Sequence, residues 1–492
     1  MLRMLLALMG VVLAGCASNG PRTASFQGPP NIVIIFADDM GYGDLGCYGQ
    51  TGWRTPNLDR LASEGARLTN FYVAQAVCSA SRAGLLTGCY PNRIGLAGAL
   101  GPGSRVGIAA GEKTIAEMCR DRGYATAIFG KWHLGDAPEM LPTRHGFDEW
   151  FGLPYSNDMW PLHPDLVKLP AESEQRKRGY PALPLYENER IVDAEVTAED
   201  QATLTKRYTE HACDFIARNA ERPFFLYVPH SMPHVPLFVS GEFAGRSGAG
   251  LYGDVIEEID WSVGRIVEEL ERRGLRERTL VIFASDNGPW LSYGDHAGTT
   301  GGLREGKGTS WEGGVRVPFI VNWPGHVASG KTIDAPAMTI DVLPTLASAT
   351  GAARGHTNMD MGVDGVDLWP LLTSGDETAT ESRALAFYYN ANDLEAVRRG
   401  RWKLVLPHSY RTLAGRAGSG GAPGPYKQVK SGLELYDLVA DPHETRDLAA
   451  DRPEIVEAMS RDVEEFRRDL GDNLTKRVGE HRREPGRVEE KR

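Results

Sequence analysis

Short, uninterrupted apolar runs recur along the chain at 31–37 (NIVIIFA), 124–129 (YATAIF), 223–228 (PFFLYV), 279–284 (TLVIFA) and 317–322 (VPFIVN). Runs of this length without polar alternation suit strands buried on both faces, as in a parallel sheet covered by helices. Between them the spacing changes to that of helices. Residues 56–65 begin with Pro56, 112–122 space Ile115, Met118 and Cys119, and 252–274 put Val255, Ile256, Ile259, Val263, Ile266, Val267 and Leu270 on one face before Gly274. Strands alternating with helices predict an α/β fold, with a large mostly parallel or mixed central sheet flanked by helices.

The same pattern sets boundaries. The opening MLRMLLALMGVVLAGC has Arg3 before an apolar run too short to span a membrane, and reads as an export signal over 1–15. Leu13-Ala14-Gly15-Cys16 resembles the lipobox of bacterial lipoproteins. That resemblance implies lipidation at Cys16 and a protein exported and anchored to the cell envelope, at the periplasmic side of the outer membrane or the cell surface. Membrane contact is then through the N-terminal lipid only, because no other apolar stretch approaches the ~20 residues of a membrane span. Residues 16–30 form a polar tether, and the α/β domain runs over 31–375 with a Pro-, Glu- and Lys-rich excursion at 160–198. Strand candidates at 385–389, 396–405 and 433–437 and an amphipathic helix at 452–470 predict a smaller C-terminal α+β domain, 376–471, containing an antiparallel sheet. Within it 409–432 reads as a flexible loop, and 472–492 as a disordered mixed-charge tail.

Composition narrows the function classes. The 492 residues carry 54 Lys and Arg against 65 Asp and Glu, a net charge of −11, which argues against a nucleic-acid partner. Six cysteines are too few for a disulfide scaffold in a chain of this length. Cys47, Cys89, Cys119 and Cys213 are expected as buried thiols, and spacing selects no pairing among them.

Candidate chemistry sits at strand ends. Asp38-Asp39 follows the first apolar run directly, and Asp286-Asn287 follows the fourth. Ligands of open α/β sheets bind beyond the carboxyl ends of strands, and an oxygen-only set of this kind suits Ca²⁺ or Mg²⁺ better than zinc. The same residues could also simply cap turns. Cys78 opens a helical stretch, Cys78-Ser79-Ala80-Ser81-Arg82-Ala83-Gly84, where the helix dipole and Arg82 would favour a reactive group beside an anion. A buried small hydrophobe is the alternative. His230 and His234 are spaced like a helical metal pair, but Pro233 between them excludes a clean helix. His234 is therefore expected to bind an anion, with His230 in support.

Taken together, these motifs resemble the formylglycine-dependent sulfatases, the arylsulfatase A-like branch of the alkaline phosphatase superfamily. CSASRAGLLTG matches the family's Cys-x-Pro/Ala-x-Arg signature, with Ala80 where proline is commoner. ADDMGYGDLGCYG, GYATAIFGKWHLG (123–135), HSMPHVPL (230–237), FASDNG (283–288) and GKGTSWEGGVRVP (306–318) follow in the family's order. VRRGRWKLV and ELYDLVADPHE extend the likeness to about residue 450. The resemblance implies conversion of Cys78 to formylglycine by a separate maturation enzyme, and Ca²⁺, with Mg²⁺ second, held by Asp38, Asp39, Asp286, Asn287 and the modified Cys78. Arg82, Lys131, His133, His234 and Lys307 correspond to residues that hold sulfate and move protons. Ser156 in PYSND corresponds to a sulfate contact. His296 matches no family motif, but its Gly-rich loop just after Asp286-Asn287 places it at the mouth of the site.

The implied reaction is hydrolysis of a sulfate monoester to an alcohol and inorganic sulfate. One hydroxyl of the formylglycine hydrate, with Asp286 taking its proton, attacks sulfur. His234 or Lys307 protonates the leaving oxygen, and His133 deprotonates the second hydroxyl so that collapse to the aldehyde ejects sulfate. The expected substrate is a sulfated small molecule or glycan. A phosphodiesterase or phosphonate monoester hydrolase of the same superfamily, or a non-catalytic envelope lipoprotein if Cys78 is never modified, are the alternatives.

Overall fold

The computed structural model describes residues 28–351 and 362–488. The export signal, Cys16 and most of the tether lie outside the described residues. A ten-stranded mixed sheet runs through the molecule in the order Lys331–Ile333, Ala66–Leu68, Phe319–Asn322, Thr279–Ser285, Asn31–Ala37, Phe224–Pro229, Ala125–Phe129, Glu149–Gly152, Leu185–Glu187, Arg190–Asp193. Thr279–Ser285, Asn31–Ala37, Phe224–Pro229, Ala125–Phe129 and Glu149–Gly152 pair in parallel, and antiparallel strands extend both sides. This is the α/β architecture expected from the apolar runs.

Burial explains the uninterrupted runs. Ile32, Ile34 and Phe36 face one apolar core, while Val33, Ile35 and Ala37 face another, and none of the six is exposed. Helices Pro56–Ser63, Leu204–Arg218 and Leu251–Arg272 cover the second face, while Cys78–Thr87, Ile115–Arg120 and Val342–Ala349 lie on the first. Leu251–Arg272 buries each of the seven apolar residues that the helical spacing aligned.

The C-terminal part is a four-stranded antiparallel sheet, Ala384–Tyr389, Asp393–Arg399, Trp402–Val405 and Glu434–Asp437, packed by helix Pro453–Leu470. Three expectations need correction. The single strand read over 396–405 is two strands, turned at Gly400-Arg401. Residues 409–432 are not a loop throughout, because Ser409–Leu413 pairs antiparallel with Tyr426–Lys430. The Gly- and Pro-rich composition belongs to the hairpin's tip alone, while Tyr410, Thr412, Tyr426 and Val429 favour strands. Residues 472–488 are folded rather than disordered: Gly471–Asp472 pairs with Arg477–Val478, and Gly486–Arg487 pairs with Val106–Gly107 of the large domain. Their charges are matched, as in Arg483 Nη2 to Glu112 at 2.8 Å, so mixed charge here marks a docked segment. Residues 489–492 lie outside the described residues.

Candidate active site

Four adjacent parallel strands end at one place. Asn31–Ala37 and Thr279–Ser285 run in register, Ala37 opposite Ser285, so Asp38-Asp39 and Asp286-Asn287 emerge side by side. The Asp39 amide donates to Asp286 Oδ1 at 3.0 Å, and Asn287 Nδ2 donates to Asp39 Oδ1 at 2.7 Å. Phe224–Pro229 leads to His234, and Ala125–Phe129 leads to Lys131 and His133. The turn into Lys131 requires Gly130. Its φ is +142°, and a Cβ there would lie 1.9 Å from the Pro229 carbonyl oxygen.

Basic side chains close around the carboxylates. Arg82 donates to Asp286 Oδ2 from Nε at 3.1 Å and Nη2 at 2.8 Å, lies 3.3 Å from Asp38 Oδ2, and donates from Nη1 to the Lys131 carbonyl. Lys131 Nζ bonds Asp38 Oδ2 and reaches Ser156 Oγ at 3.1 Å. Lys307 Nζ holds Asp39 at 2.7 Å, and His234 Nε2 stands 3.6 Å from the same carboxylate. All of these side chains are buried. Cys78 is the first residue of the fully buried helix Cys78–Thr87, its sulfur within 4.8 Å of ligand atoms of Asp38 and His234.

Burial opposes charge at every one of these groups, and the neighbours decide the outcome. Burial alone would raise Asp38, but Lys131 and Arg82 outweigh it and hold its carboxyl well below the usual range. Burial and the Asp38 charge instead push Asp286 up to about 7, despite Arg82. Burial would discharge Arg82 and Lys307, yet Asp286 and Asp38 around the first, and Asp39 beside the second, keep both charged. Burial pulls His133 and His234 down, helped by Lys131 and Lys307 respectively. The Cys78 thiol is pushed up by burial. Its position at a helix start therefore does not make it a thiolate, and an unmodified Cys78 is a poor nucleophile.

The donor set fits a hard divalent cation. Asp38 Oδ1 and Asn287 Oδ1 are buried with no hydrogen-bond partner, beside Asp39 and Asp286 oxygens within 4.8 Å of Asp38. Buried bare oxygens of this kind are costly unless something else binds them, and an oxygen cluster suits Ca²⁺ or Mg²⁺. A cation would also relieve the crowding that raises Asp286.

Asp38, Asp39, Cys78, Arg82, Lys131, His133, Ser156, His234, Asp286, Asn287 and Lys307 thus converge. His296 does not touch this cluster. It ends the segment Leu291–His296, where a side chain on Gly421 would lie 3.3 Å from its Nδ1. His230 stands behind the site, 3.2 Å from Ser262 Oγ. The five described cysteines are free thiols, with Cys89 and Cys119 buried and Cys47 and Cys213 only partly so. Sequence reasoning missed four neighbours. Asp158 is buried, and His234 with hydrogen bonds from His163 and Ser156 overcomes burial to hold its pKa low. The Trp290 ring packs 4.6 Å from Lys307 Nζ, Tyr389 packs against the cluster of Val77, Cys78 and Ala80, and Arg411 donates to the Lys307 carbonyl. Asp158 lay inside the PYSND segment and Trp290 just past the Asp286-Asn287 pair, so both had a signal in position. Arg411 sat in a stretch read as a loop and had none.

Known proteins resemble this chain in sequence and fold. The sulfatase family model matches residues 30–352, and the model for the C-terminal region of aryl-sulfatase matches 381–485. The chain is 41% identical over 453 residues to arylsulfatase A of Homo sapiens, covering 88% of this chain and 86% of that one. It is 39% identical over 401 residues to N-acetylgalactosamine-6-sulfatase of Canis lupus familiaris, covering 78% and 73% respectively. The crystal structure of the PsFucS1 sulfatase from Pseudoalteromonas sp. superimposes with a TM-score of 0.78 at 27% identity, covering 89% of this chain and 91% of that one.

Proposed function

The chain belongs to the sulfatase family and is a sulfuric ester hydrolase, and from that premise we propose how its own residues carry the reaction and on what substrate. The observation that carries the reading is the convergence of Asp38, Asp39, Asp286 and Asn287 with Lys131, Lys307, Arg82 and His234 around Cys78.

Family membership implies a formylglycine and a divalent metal. Oxidised by a separate maturation enzyme, Cys78 supplies an aldehyde whose hydrate offers two hydroxyls. A divalent cation, Ca²⁺ by preference for so many carboxylate oxygens, would be held by Asp38, Asp39, Asp286 and Asn287 with residue 78, and supplies positive charge to the sulfate and the attacking hydroxyl. Arg82 fixes Asp286, which stands as acceptor for the proton of that hydroxyl. Lys131, bonded to Asp38, and Lys307, kept charged by Asp39, neutralise sulfate oxygens, with Ser156 beside Lys131 as a further donor. His234 has its Nδ1–H committed to the Val235 carbonyl at 2.6 Å, which leaves Nε2 facing the site beside Asp39; a proton taken up at that Nε2, giving the imidazolium, is the one handed to the departing alcohol oxygen. His133 donates Nε2–H to the Leu100 carbonyl at 2.8 Å, so its Nδ1, buried and unpartnered, is the atom that accepts the second proton. Water enters and alcohol, sulfate and a proton leave.

The substrate is read as a sulfated small molecule or glycan, supported by the sugar-sulfate activity in the name of the N-acetylgalactosamine-6-sulfatase relative. Export and an envelope anchor through Cys16 rest on the Leu13–Cys16 pattern, and no helix among the described residues is long and apolar enough to cross a membrane. The deciding experiment compares turnover of an aryl sulfate with that of a phosphate diester by purified protein whose Cys78 peptide shows aldehyde by mass spectrometry. Sulfate ester turnover that disappears with a chelator and returns with Ca²⁺ is expected; preference for the diester would overturn the sulfatase reading.

A further inference from the structure

A cleft of about 470 Å³ opens beside the catalytic cluster, and none of the residues in that cluster lines it. One wall is Gly101-Pro102, directly after Leu100, whose carbonyl accepts the His133 hydrogen bond. The other comes from the 160–198 excursion: His163, Gln175, Arg178 and Tyr180. His163 joins cleft to site. Its Nδ1 accepts the Asp165 amide at 3.1 Å, so Nε2 carries the proton and points at Asp158 Oδ2, 3.5 Å away. Asp158 is itself under the charge of His234 and Lys131. The cleft therefore borders the group around His234, which the proposed mechanism places at the departing ester oxygen.

Its chemistry is specific. Tyr180 sets its ring 5.3 Å from that of His163, giving a half-exposed aromatic platform of the kind that stacks on a sugar face. Gln175 is exposed and offers both donor and acceptor to hydroxyls. The charges are unequal. Asp165 is paired with Lys168 at 3.3 Å, whereas among the described residues no carboxylate lies within 4.0 Å of the exposed Arg178. An unpaired guanidinium in a wall with an aromatic ring and an amide is a planar, two-pronged receptor for an anionic oxygen pair.

We propose that this cleft is a subsite for the sugar next to the sulfated one, and that Arg178 selects a neighbour carrying an anion, either a uronate carboxylate or a second sulfate ester. The inference rests on the sulfatase reading and names its substrate class as an acidic sulfated glycan. The platform binds the sugar ring, His163 ties it to the catalytic rim through Asp158, and Arg178 supplies affinity without touching the reacting bond.

The test uses the full, matured protein and four substrates: a small aryl sulfate, and three disaccharide sulfates whose second sugar is neutral, a uronate or sulfated. KM for both acidic disaccharides is expected about tenfold below that of the neutral one. Arg178→Ala should erase that advantage with kcat unchanged, Arg178→Lys should keep part of it, and Tyr180→Ala should raise KM for all three disaccharides. None of these variants should alter aryl sulfate turnover, which also reports folding. A preference for the uronate alone or the second sulfate alone identifies which anion is read, and either supports the subsite. Equal KM values across the disaccharides, or an Arg178→Ala enzyme that retains the preference, would overturn it while aryl sulfate turnover left the sulfatase reading intact. No turnover of any sulfate ester by the wild type would overturn both.

Discussion

His133 and His234 present opposite ring nitrogens to the site because each has the other committed to a backbone carbonyl, Leu100 for His133 and Val235 for His234. A histidine with one nitrogen committed to the backbone has the nitrogen it offers to the site chosen before substrate arrives. That separation predicts different penalties for different substrates. Replacing His234 with Ala removes the group proposed to protonate the departing oxygen, so sugar sulfates, with poor leaving groups, should lose about 100- to 10,000-fold in kcat/KM. Aryl sulfates, whose phenolate leaves without help, should lose far less. Steady-state kinetics on a series of leaving groups checks this, and an equal loss across the series would remove His234 from that role.

At the scale of elements, the C-terminal hairpin shapes the catalytic domain. Arg411, on strand Ser409–Leu413, donates to the Lys307 carbonyl at 2.6 Å and 3.2 Å and lies over the Trp290 ring, which also faces Lys307. A Cβ at Gly308 would be 2.3 Å from Arg411 Nη2, so the close approach needs glycine there. The hairpin tip is fastened as well, with Gly418 and Gly424 amides donating to the Ser292 carbonyl at 2.8 and 2.7 Å. Arg411→Ala should lower kcat by roughly tenfold through misplaced Lys307, a loss of about 1.4 kcal/mol in transition-state binding, with thermal unfolding little changed. A fall in melting temperature matching the loss of activity would instead mark Arg411 as structural. This contact also shows where the sequence stopped being legible. The buried strands announced themselves because both faces are apolar, and Asp38-Asp39 and Asp286-Asn287 because they follow such strands without a gap. Arg411 reaches Lys307 across 104 positions from a short strand whose alternation is broken by Gly-rich flanks, and no local pattern encodes that reach. The 472–488 segment escaped for a similar reason. Its charges look solvated until Glu112 and Val106–Gly107 are known to face them.

Across the whole molecule, buried histidines set a limit on acid tolerance. Burial pulls His145 and His230 down to about 4, against 6.5 for an exposed histidine. Above pH 6.5 both are neutral in the folded and unfolded chain. Below it the unfolded chain takes up protons that the folded one refuses, so stability falls as pH drops from about 6.5 to about 4 and levels off beneath that. Melting temperatures measured across this range with saturating Ca²⁺ should decline. His230→Gln, which keeps a polar partner for Ser262, should make the decline shallower, and an unchanged slope would show that other groups govern it.

The burial of Cys78 carries a consequence in time rather than in space. Only 3% of this residue reaches solvent, and each residue of its helix is buried beneath the rest of the chain. An oxidising catalyst cannot dock on such a residue once the sheet has closed over it. Any chemistry that converts the thiol must therefore meet the chain while it is still unfolded, in a race with folding whose loser is permanent. On the formylglycine reading proposed above, a molecule that folds first keeps a raised thiol pKa in a finished site and stays inert for its lifetime. On that reading the fraction of active molecules would be fixed during biosynthesis, and rapid folding, ordinarily an advantage, would lower the yield of working enzyme.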